Sequence, residues 1–277
     1  MSQKREMHET PKAIIAKKLN DLFPHGCKRI LLVNPPNVPE EDWNPEVAAD
    51  NRYPVYPPCG IATLSKCLQN HGYERKNIVL LDLNFLLQRI YKANPEAFSY
   101  CVWEDILDGY VQDFKPDLVG VGCMFTIYYR AMKRMAELIK TRYPSIVVAA
   151  GGVHTSDAAE DVARDCDKFD IICLFEGNKS FPDMIDFVNK KSDENVLTQL
   201  STIIDGTYVT IKERAEKLAE DYDDIPDYHD LPIDMYSQYG RIGTYYWLFP
   251  PTTRMATVLS NIGCRAQCSF CSVRYFN

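Results

Sequence analysis

The chain has 277 residues, 46% of them hydrophobic, which is enough to bury one large or two ordinary cores and argues against global disorder. Its formal net charge of −7 argues against a protein whose main task is to coat phosphate backbones, and no nucleic-acid partner is expected. No stretch approaches the roughly 18 uncharged apolar residues of a membrane-spanning helix, so no membrane span is expected.

The chain contains ten cysteines, which raises the question of disulfide bonds. The amino terminus lacks the apolar core of a signal peptide, so we expect a cytoplasmic protein with reduced thiols. Seven cysteines are scattered, and small buried hydrophobes are the ordinary role of such residues. Cys59 stands apart because it lies in a loop rich in proline and glycine. The seven are Cys27, Cys59, Cys67, Cys101, Cys123, Cys166 and Cys173.

Hydrophobic periodicity predicts a short leading helix at 11–23, followed by strands that alternate with helices as far as residue 190. The predicted strands are compact apolar runs at 28–36, 77–84, 116–125, 145–152 and 169–177. The predicted helices between and after them are 60–73, 85–116 in two pieces around Pro95, 129–144, 157–165 and 179–190. This alternation predicts an α/β fold, a doubly wound, parallel, five-stranded Rossmann-like sheet with helices on both faces.

The loops at the carboxyl ends of four predicted strands contain glycine, serine, threonine and aromatic residues, and the first is long and rich in proline. Ligands of doubly wound sheets bind at this edge, and small residues there let the backbone approach a bulky ligand closely. One such loop could simply turn the chain. Four of them on one edge predict a ligand site.

The pattern changes after residue 190. Residues 198–213 are typical of a β-hairpin that turns at Asp205-Gly206. Residues 216–240 are acidic and without a clear period, and they do not fit a calcium loop, so we interpret them as a solvated linker that wraps the first domain. Residues 254–264 are predicted to form a final strand that leads directly into a cluster of cysteines.

The last cysteines, Cys264, Cys268 and Cys271, have the spacing C-x3-C-x2-C. A structural zinc site requires four closed ligands. No cysteine or histidine follows Cys271, so a fourth ligand such as His229 or Cys173 would have to come from far upstream. A cube of iron and sulfide held by three thiolates instead leaves one iron with an open coordination position.

The stretch "CRAQCSFC", with Phe270 directly before its third cysteine, resembles the signature of radical S-adenosylmethionine (SAM) enzymes. The segments "RILLVNPP", "YPPCGIATLSKCLQNHGY", "PDLVGVGCMF", "AAGGVHTS" and "FEGNKSFPDMI" resemble, in this order, the cobalamin-binding domain of the B12-dependent class of these enzymes. So does the approach segment "IPDYHDLPIDMY", and the resemblance covers about residues 28–277.

The resemblance implies that Cys264, Cys268 and Cys271 bind a [4Fe-4S] cluster whose open iron chelates SAM, with Phe270 beside the adenine. The reduced cluster would cleave SAM to a 5′-deoxyadenosyl radical, with electrons from an external donor such as flavodoxin or ferredoxin. The substrate would be an unknown organic molecule. Methyl transfer to an unactivated carbon is one outcome, and ring formation, oxidation and rearrangement are equally compatible.

The resemblance departs from the classical cobalamin domain in one respect. The Asp-x-His-x-x-Gly loop, whose histidine binds cobalt, is replaced by residues 34–54, which contain no histidine. This implies cobalamin bound base-off and histidine-off. The residues that the resemblance places at the cofactor are Tyr56, Pro57, Pro58 and Gly60 near the lower corrin face, Gly122 and Thr126 at the nucleotide tail, Gly151, Gly152, His154 and Thr155 in the fourth-strand loop, and Glu176 and Gly177 in the same crevice.

The family's catalytic barrel needs further strands after the cysteine loop, since a complete barrel takes about 250 residues. We therefore expect the front portion of a longer enzyme, without turnover by itself and with a cluster that is labile or absent. Two alternatives stay open, a corrinoid-binding module without catalysis and a zinc-stabilised α/β domain. The domains expected are a leading helix at 1–27, the cobalamin-binding-like domain at 28–190, the hairpin and linker at 191–253, and the start of the truncated barrel at 254–277.

Overall fold

The structure is a computed structural model that describes residues 9–215, 225–240, 253, 266 and 268–271. Its strands are β1 (Ile30–Asn34), β2 (Ile78–Asp82), β3 (Leu118–Gly122), β4 (Val147–Gly151), β5 (Ile171–Cys173), β6 (Leu200–Ile204) and β7 (Thr207–Ile211). Its helices are α1 (Pro11–Leu22), α2 (Pro45–Ala49), α3 (Cys59–Asn70), α4 (Leu83–Ala93), α5 (Val102–Phe114), α6 (Tyr129–Arg142), α7 (Val153–Asp157), α8 (Ala159–Asp165), α9 (Gly177–Val188) and α10 (Tyr236–Tyr239).

The strands form one sheet in the order β2-β1-β3-β4-β5-β6-β7. The first five are parallel, so the predicted doubly wound α/β fold is confirmed. The chain runs from β1 outward to β2 and then returns to the other side of β1 to form β3. This reversal makes the carboxyl ends of β1 and β3 the switch point at which ligands of such sheets bind.

The predicted hairpin is confirmed, but the sheet has seven strands rather than five. The hairpin joins the sheet through antiparallel pairing of β6 with β5, and Ile172 lies opposite Ser201. The free backbone groups of an edge strand are open to such pairing. Local sequence signals identify the turn at Asp205-Gly206, but they do not say which sheet edge the hairpin covers.

The sheet is buried on both faces, as its apolar strands predict. Leu31 and Val33 of β1 face one core cluster, which includes α5, α6 and α8. Ile30 and Leu32 face the opposite cluster, which includes α1, α3 and α9. This alternation follows from the two-residue period of a strand, and it holds the carboxyl ends of the strands in a fixed frame.

The acidic residues 216–240 are not simply a solvated linker, because their described part, 225–240, packs against the domain. We call residues 225–240 the docked segment. Its Leu231 and Tyr236 are 7% and 1% exposed, and Arg75 bridges its Asp227 and Asp230 with N–O distances of 2.5 and 2.8 Å. The segment lacks a hydrophobic period, so local pattern did not reveal its isolated buried anchors.

The remaining predicted elements agree with the structure within a few residues, and the helix predicted at 157–165 is α8. The short helices α2, α7 and α10 were not predicted, and α7 lies directly before α8 in the loop that follows β4. The predicted strand at 254–264 lies outside the described residues. Among the scattered cysteines, Cys59 and Cys101 are partly exposed and the other five are buried. None of the helices in the described ranges is long and apolar enough to cross a bilayer.

Candidate cofactor-binding site

A cavity of about 370 Å³ opens at the carboxyl ends of β1, β3, β4 and β5, where the sequence predicts a ligand site. A larger groove of about 670 Å³ lies at the opposite edge of the sheet, where Arg29, Lys115 and Ser145 line it near the amino ends of β1, β3 and β4. We take the cavity at the carboxyl edge as the candidate site because four strands converge on it. Its walls include Asn34, Asn37, Tyr56, Pro58, Cys59, Gly60, Leu64, Asn84, Gly122, Met124, Phe125, Tyr128, Gly151, Gly152, Glu176, Gly177 and Phe181.

Two of the wall glycines leave open space where a side chain would stand. A Cβ atom added to Gly60 or Gly122 would meet no heavy atom within 4 Å. Gly152 has a different role, because its φ is +106° and an added Cβ would lie 2.4 Å from the carbonyl oxygen of Cys123. Gly60 and Gly122 therefore widen the cavity, whereas Gly152 lets the β3 and β4 loops touch.

The hydroxyls that follow Gly152 hold the β4 loop. Thr155 Oγ1 donates to the carbonyl oxygen of Gly152 at 2.9 Å and is fully buried. Ser156 Oγ donates to the same carbonyl at 2.8 Å and accepts from the amide of Phe175 at 2.7 Å. These bonds fix the β4 loop to the β5 loop, and Phe175 itself has a positive φ of 57°.

His154 packs beside the cavity rather than in its wall. Its Nδ1 lies 3.2 Å from Thr126 Oγ1, and its ring meets that of Tyr129 edge-on at 5.2 Å. Burial lowers the pKa of His154 from its ordinary value. The contact between Thr126 and His154 therefore joins the loop after β3 to α7. The lowered pKa of His154 favours its neutral form in this half-buried position.

The structure thus divides the residues predicted at the cofactor. Eight line the cavity, namely Tyr56, Pro58, Gly60, Gly122, Gly151, Gly152, Glu176 and Gly177. Four others belong to the same loops but are not among its lining residues, namely Pro57, Thr126, His154 and Thr155. Position in a loop predicted the edge of the sheet correctly, but it could not tell which side chains turn toward the cavity.

Three asparagines in the wall were not singled out by sequence. Asn34 ends β1, Asn84 follows β2, and Asn37 begins the long loop. Asn84 Oδ1 accepts from the Asn37 amide at 2.6 Å, and Asn84 Nδ2 donates to the Pro35 carbonyl at 2.7 Å. The sequence feature that could have identified Asn34 and Asn84 is their position at the ends of two neighbouring strands.

Asp82 lies beneath these asparagines, is 4% exposed and caps α4. Its Oδ1 accepts from Asn34 Nδ2 at 2.9 Å and from the Asn84 amide at 3.1 Å. Its Oδ2 accepts from the hydroxyl of Tyr236 in the docked segment at 2.7 Å. Burial raises the pKa of Asp82, although these hydrogen bonds oppose the shift.

Only part of the cysteine motif lies within the described residues. Cys268 is exposed, Cys271 is partly exposed, and the Cys271 amide donates to the Cys268 carbonyl at 3.1 Å. Phe270 between them is 91% exposed. Cys264 lies outside the described residues, and within those ranges no group of three His, Cys, Asp or Glu side chains could hold a metal ion. The cluster site therefore stays a prediction.

The sequence matches the B12 binding domain family over residues 45–185, slightly more than half of the chain. The chain belongs to the B12-binding domain family. The match spans the wall residues from Pro54 to Phe181, which include those contributed by β3, β4, β5 and α3. Most of the cavity wall therefore belongs to the part of the chain that matches this family.

Three curated relatives are methyltransferases. An uncharacterized methyltransferase of Pyrococcus horikoshii is 26% identical over 164 residues, 58% of this chain and 32% of that protein. The cytidylyl-2-hydroxyethylphosphonate methyltransferase of Streptomyces wedmorensis is 23% identical, over 79% of this chain and 44% of that protein. The cobalamin-dependent radical SAM methyltransferase TokK of Streptomyces tokunonensis is 26% identical, over 65% of this chain and 25% of that protein. The chain therefore spans less than half the length of these relatives.

The fold resembles a solved structure, the radical SAM methyltransferase TsrM from Kitasatospora setae with cobalamin and a [4Fe-4S] cluster bound. The two share a TM-score of 0.54 at 16% sequence identity, over 89% of this chain and 41% of that one. At this identity the likeness concerns the fold alone. It agrees with the mostly parallel α/β sheet described above.

Proposed function

We propose that the cavity at the carboxyl edge of the sheet binds cobalamin, and that the chain is the cobalamin-binding portion of a B12-dependent radical SAM enzyme. The observation that carries this proposal is the cavity itself, which opens at the switch point of the sheet and has most of its wall within the region matched by the B12-binding family. The methyltransferase names of the relatives support methyl transfer as the reaction.

The residues of the cavity fit part of this cofactor. Its volume of about 370 Å³ is smaller than a whole cobalamin, so one portion would enter and the remainder would cover the mouth. Gly60 and Gly122 have no heavy atom within 4 Å of the Cβ position, which provides the needed space in the wall. The side-chain amides of Asn34 and Asn37 line the cavity and supply hydrogen-bonding partners for the amide groups that surround a corrin ring. Asn84 instead uses its side-chain amide to hold the loop that carries Pro35 and Asn37.

The fit also favours cobalamin without a histidine ligand. The residues of the described chain that line the cavity include no histidine, and His154 is held beside Thr126 and Tyr129. When bound in this way, cobalamin supplies a cobalt-carried methyl group. The chain's own part is to orient the cofactor with Tyr56 and Pro58 at the mouth and to exclude water with the apolar side chains of Leu64 and Phe181.

We propose further that Cys264, Cys268 and Cys271 bind a [4Fe-4S] cluster that takes SAM at its open iron, with Phe270 beside the adenine. The spacing of the motif and the names of the relatives support this assignment. The exposure of Cys268 and Phe270 leaves both side chains accessible to a cluster and to a ligand. In this proposal the protein acts on an organic substrate and receives electrons from an external donor such as flavodoxin or ferredoxin.

A glycine pair tests cobalamin binding. Gly122→Leu would project a side chain into the open space of the cavity, whereas Gly109→Leu places the same side chain in open space on the exposed face of α5. We expect Gly122→Leu to weaken binding of hydroxocobalamin about tenfold, because overpacking a filled site costs about 1–3 kcal/mol, which corresponds to about 5- to 150-fold in affinity. Binding is measured by absorbance titration of the 277-residue chain, and Gly109→Leu is expected to bind like the parent.

Equal affinity for the Gly122→Leu and Gly109→Leu variants would move the cofactor out of this cavity, and no binding by the parent chain would overturn the proposal. Circular dichroism of both variants shows whether a loss of binding reflects misfolding.

Anaerobic reconstitution with iron and sulfide tests the cluster. The parent chain is expected to take up iron and sulfide and to become brown, whereas Cys268→Ala is expected to lose that colour because a thiolate ligand is removed. The control is Cys101→Ala, which removes a partly exposed thiol outside the motif. One bound zinc without colour would instead favour the zinc-stabilised domain, and cobalamin binding without a cluster would favour a corrinoid-binding module.

A further inference from the structure

The docked segment, residues 225–240, contacts several elements that form the wall of the cavity. On α3, Ser65 Oγ donates to Asp227 Oδ2 at 2.7 Å, and the Asp227 amide donates to the Ala62 carbonyl at 3.0 Å. Ala62 lies between the wall residues Ile61 and Leu64. The beginning of the segment is therefore fastened to the helix that forms one side of the cavity.

The end of the segment is fastened to the long loop on another side. Gly240 packs so closely on Val55 that an added Cβ would lie 2.4 Å from the Val55 carbonyl oxygen. Val55 stands between the wall residues Pro54 and Tyr56. A glycine is required here for close approach rather than for an unusual φ, and the segment ends against the rim of the cavity.

Between these two ends, the side chain of Asp82 hydrogen-bonds both to the cavity wall and to the docked segment. One of its carboxylate oxygens holds Asn34 and Asn84, both in the cavity wall, and the other accepts the hydrogen bond from Tyr236. Tyr236 is 1% exposed, and its ring packs on that of Phe85 with centroids 4.8 Å apart. A movement of the two asparagines is therefore transmitted through a single buried carboxylate to the docked segment.

We propose that Asp82 is a positioning residue that couples occupancy of the cavity to docking of residues 225–240, a coupling that rests on the proposed binding of cobalamin. In sequence this segment leads from the B12-binding domain toward the cysteine motif. Coupling between two sites is reciprocal. In this proposal a ligand that holds Asn34 and Asn84 in place also stabilises docking of the segment. By reciprocity, loosening the segment then weakens binding of the ligand by the same factor.

Two conservative substitutions on one short helix separate this coupling from general stability. Tyr236→Phe keeps the ring on Phe85 and removes the donor to Asp82. Tyr239→Phe is the matched control, since the ring of Tyr239 meets Phe85 edge-on at 5.3 Å. Gly240→Ala is a second variant that loosens the segment without touching Asp82, because its Cβ would collide with Val55.

The experiment combines hydrogen–deuterium exchange of the 277-residue chain with titration by hydroxocobalamin. In the parent chain, hydroxocobalamin is expected to slow amide exchange within residues 225–240. In Tyr236→Phe this added protection is expected to disappear and hydroxocobalamin to bind about five- to tenfold more weakly, within the usual range of coupling between sites. Gly240→Ala is expected to change both readouts in the same direction, and Tyr239→Phe to change neither.

The outcomes distinguish this inference from the function on which it rests. If the parent chain binds hydroxocobalamin but Tyr236→Phe binds it equally well, with exchange in 225–240 unchanged by the ligand, the coupling is wrong and the proposed function stands. If the parent chain does not bind hydroxocobalamin, the proposed function itself fails. Fast amide exchange in β1 to β5 identifies a variant that has unfolded. If Tyr236→Phe unfolds, the two readouts of Gly240→Ala decide whether the coupling exists.

Discussion

Gly152 stands where the backbone of the β4 loop touches that of the β3 loop, and its conformation is one that residues with a side chain rarely adopt. Its φ is +106° with ψ 178°, and an added Cβ would lie 2.4 Å from the Cys123 carbonyl oxygen. We expect Gly152→Ala to lower the free energy of unfolding by about 3 kcal/mol, from backbone strain and overpacking together. Urea denaturation measures this loss.

The control for that prediction is Gly122→Ala. Gly122 also lines the cavity, but its φ is not in the left-handed region and its added Cβ would meet nothing within 4 Å. We expect its free energy of unfolding to change by less than about 1 kcal/mol. If the two variants were equally stable, the close contact between the β3 and β4 loops would not be a constraint on this fold.

At the scale of residues, sequence predicted the cavity through its glycines and missed its asparagines. Gly122, Gly151 and Gly152 were named by the family resemblance, and the repetition of glycine after several buried strands pointed to the same edge of the sheet. Asn84 was not, because an asparagine after a strand is equally common as a simple helix or turn residue. Its role depends on Asp82, and that contact is visible only once neighbouring strands are placed side by side.

Helix α9 is tied to the end of α3 by Asp186, whose oxygens meet Tyr73 Oη at 2.6 Å and His71 Nδ1 at 2.8 Å. Burial alone would raise the pKa of Asp186, but hydrogen bonds from Tyr73, His71 and Lys191 outweigh it and the net pKa lies below its usual value. The ionised form is therefore favoured by folding. The stability that it contributes is present above the unfolded pKa of about 3.9 and is lost as pH falls through the lower folded value.

We therefore expect Asp186→Asn to be less stable than the parent by about 1–2 kcal/mol at pH 7, the cost of weakening charged hydrogen bonds. The difference should narrow as pH falls below about 4, because the parent carboxylate then takes up a proton. Urea denaturation at several pH values measures it. Glu96→Gln, which neutralises an exposed carboxylate, is the control and should differ little from the parent at any pH. A pH-independent difference for Asp186→Asn would contradict the assignment.

At the scale of elements, the parallel core of the sheet followed from sequence because each strand is a continuous apolar run. The docked segment did not, since its anchors are single residues. Leu231 and Tyr236 are buried five residues apart, a spacing that matches neither a helix face nor a strand face. Its acidic side chains suggested solvent, yet Asp227 and Asp230 are held by Arg75. Only the assembled surface of α3 and β2 makes that docking favourable.

The whole molecule places its cavity at the convergence of four strands whose two faces are both buried. A ligand that fills this cavity contacts the cooperative core rather than a loop that could open by itself. Binding should therefore stabilise the entire described sheet against heat. At a ligand concentration of 100 times the dissociation constant, the gain is about 2.7 kcal/mol, which raises the midpoint of thermal unfolding by about 5–10 °C in a domain of this size.

Thermal unfolding of the 277-residue chain, followed by circular dichroism at increasing hydroxocobalamin, measures that shift. Gly109→Leu should show the full shift and Gly122→Leu a smaller one, about half for a tenfold weaker affinity at the same ligand concentration, because only the second substitution narrows the cavity. Binding without any rise in the midpoint would mean that the ligand sits on a part of the chain that unfolds separately. That result would place cobalamin outside the switch point of the sheet, where four strands end and three of them, β3, β4 and β5, lie within the B12-binding match.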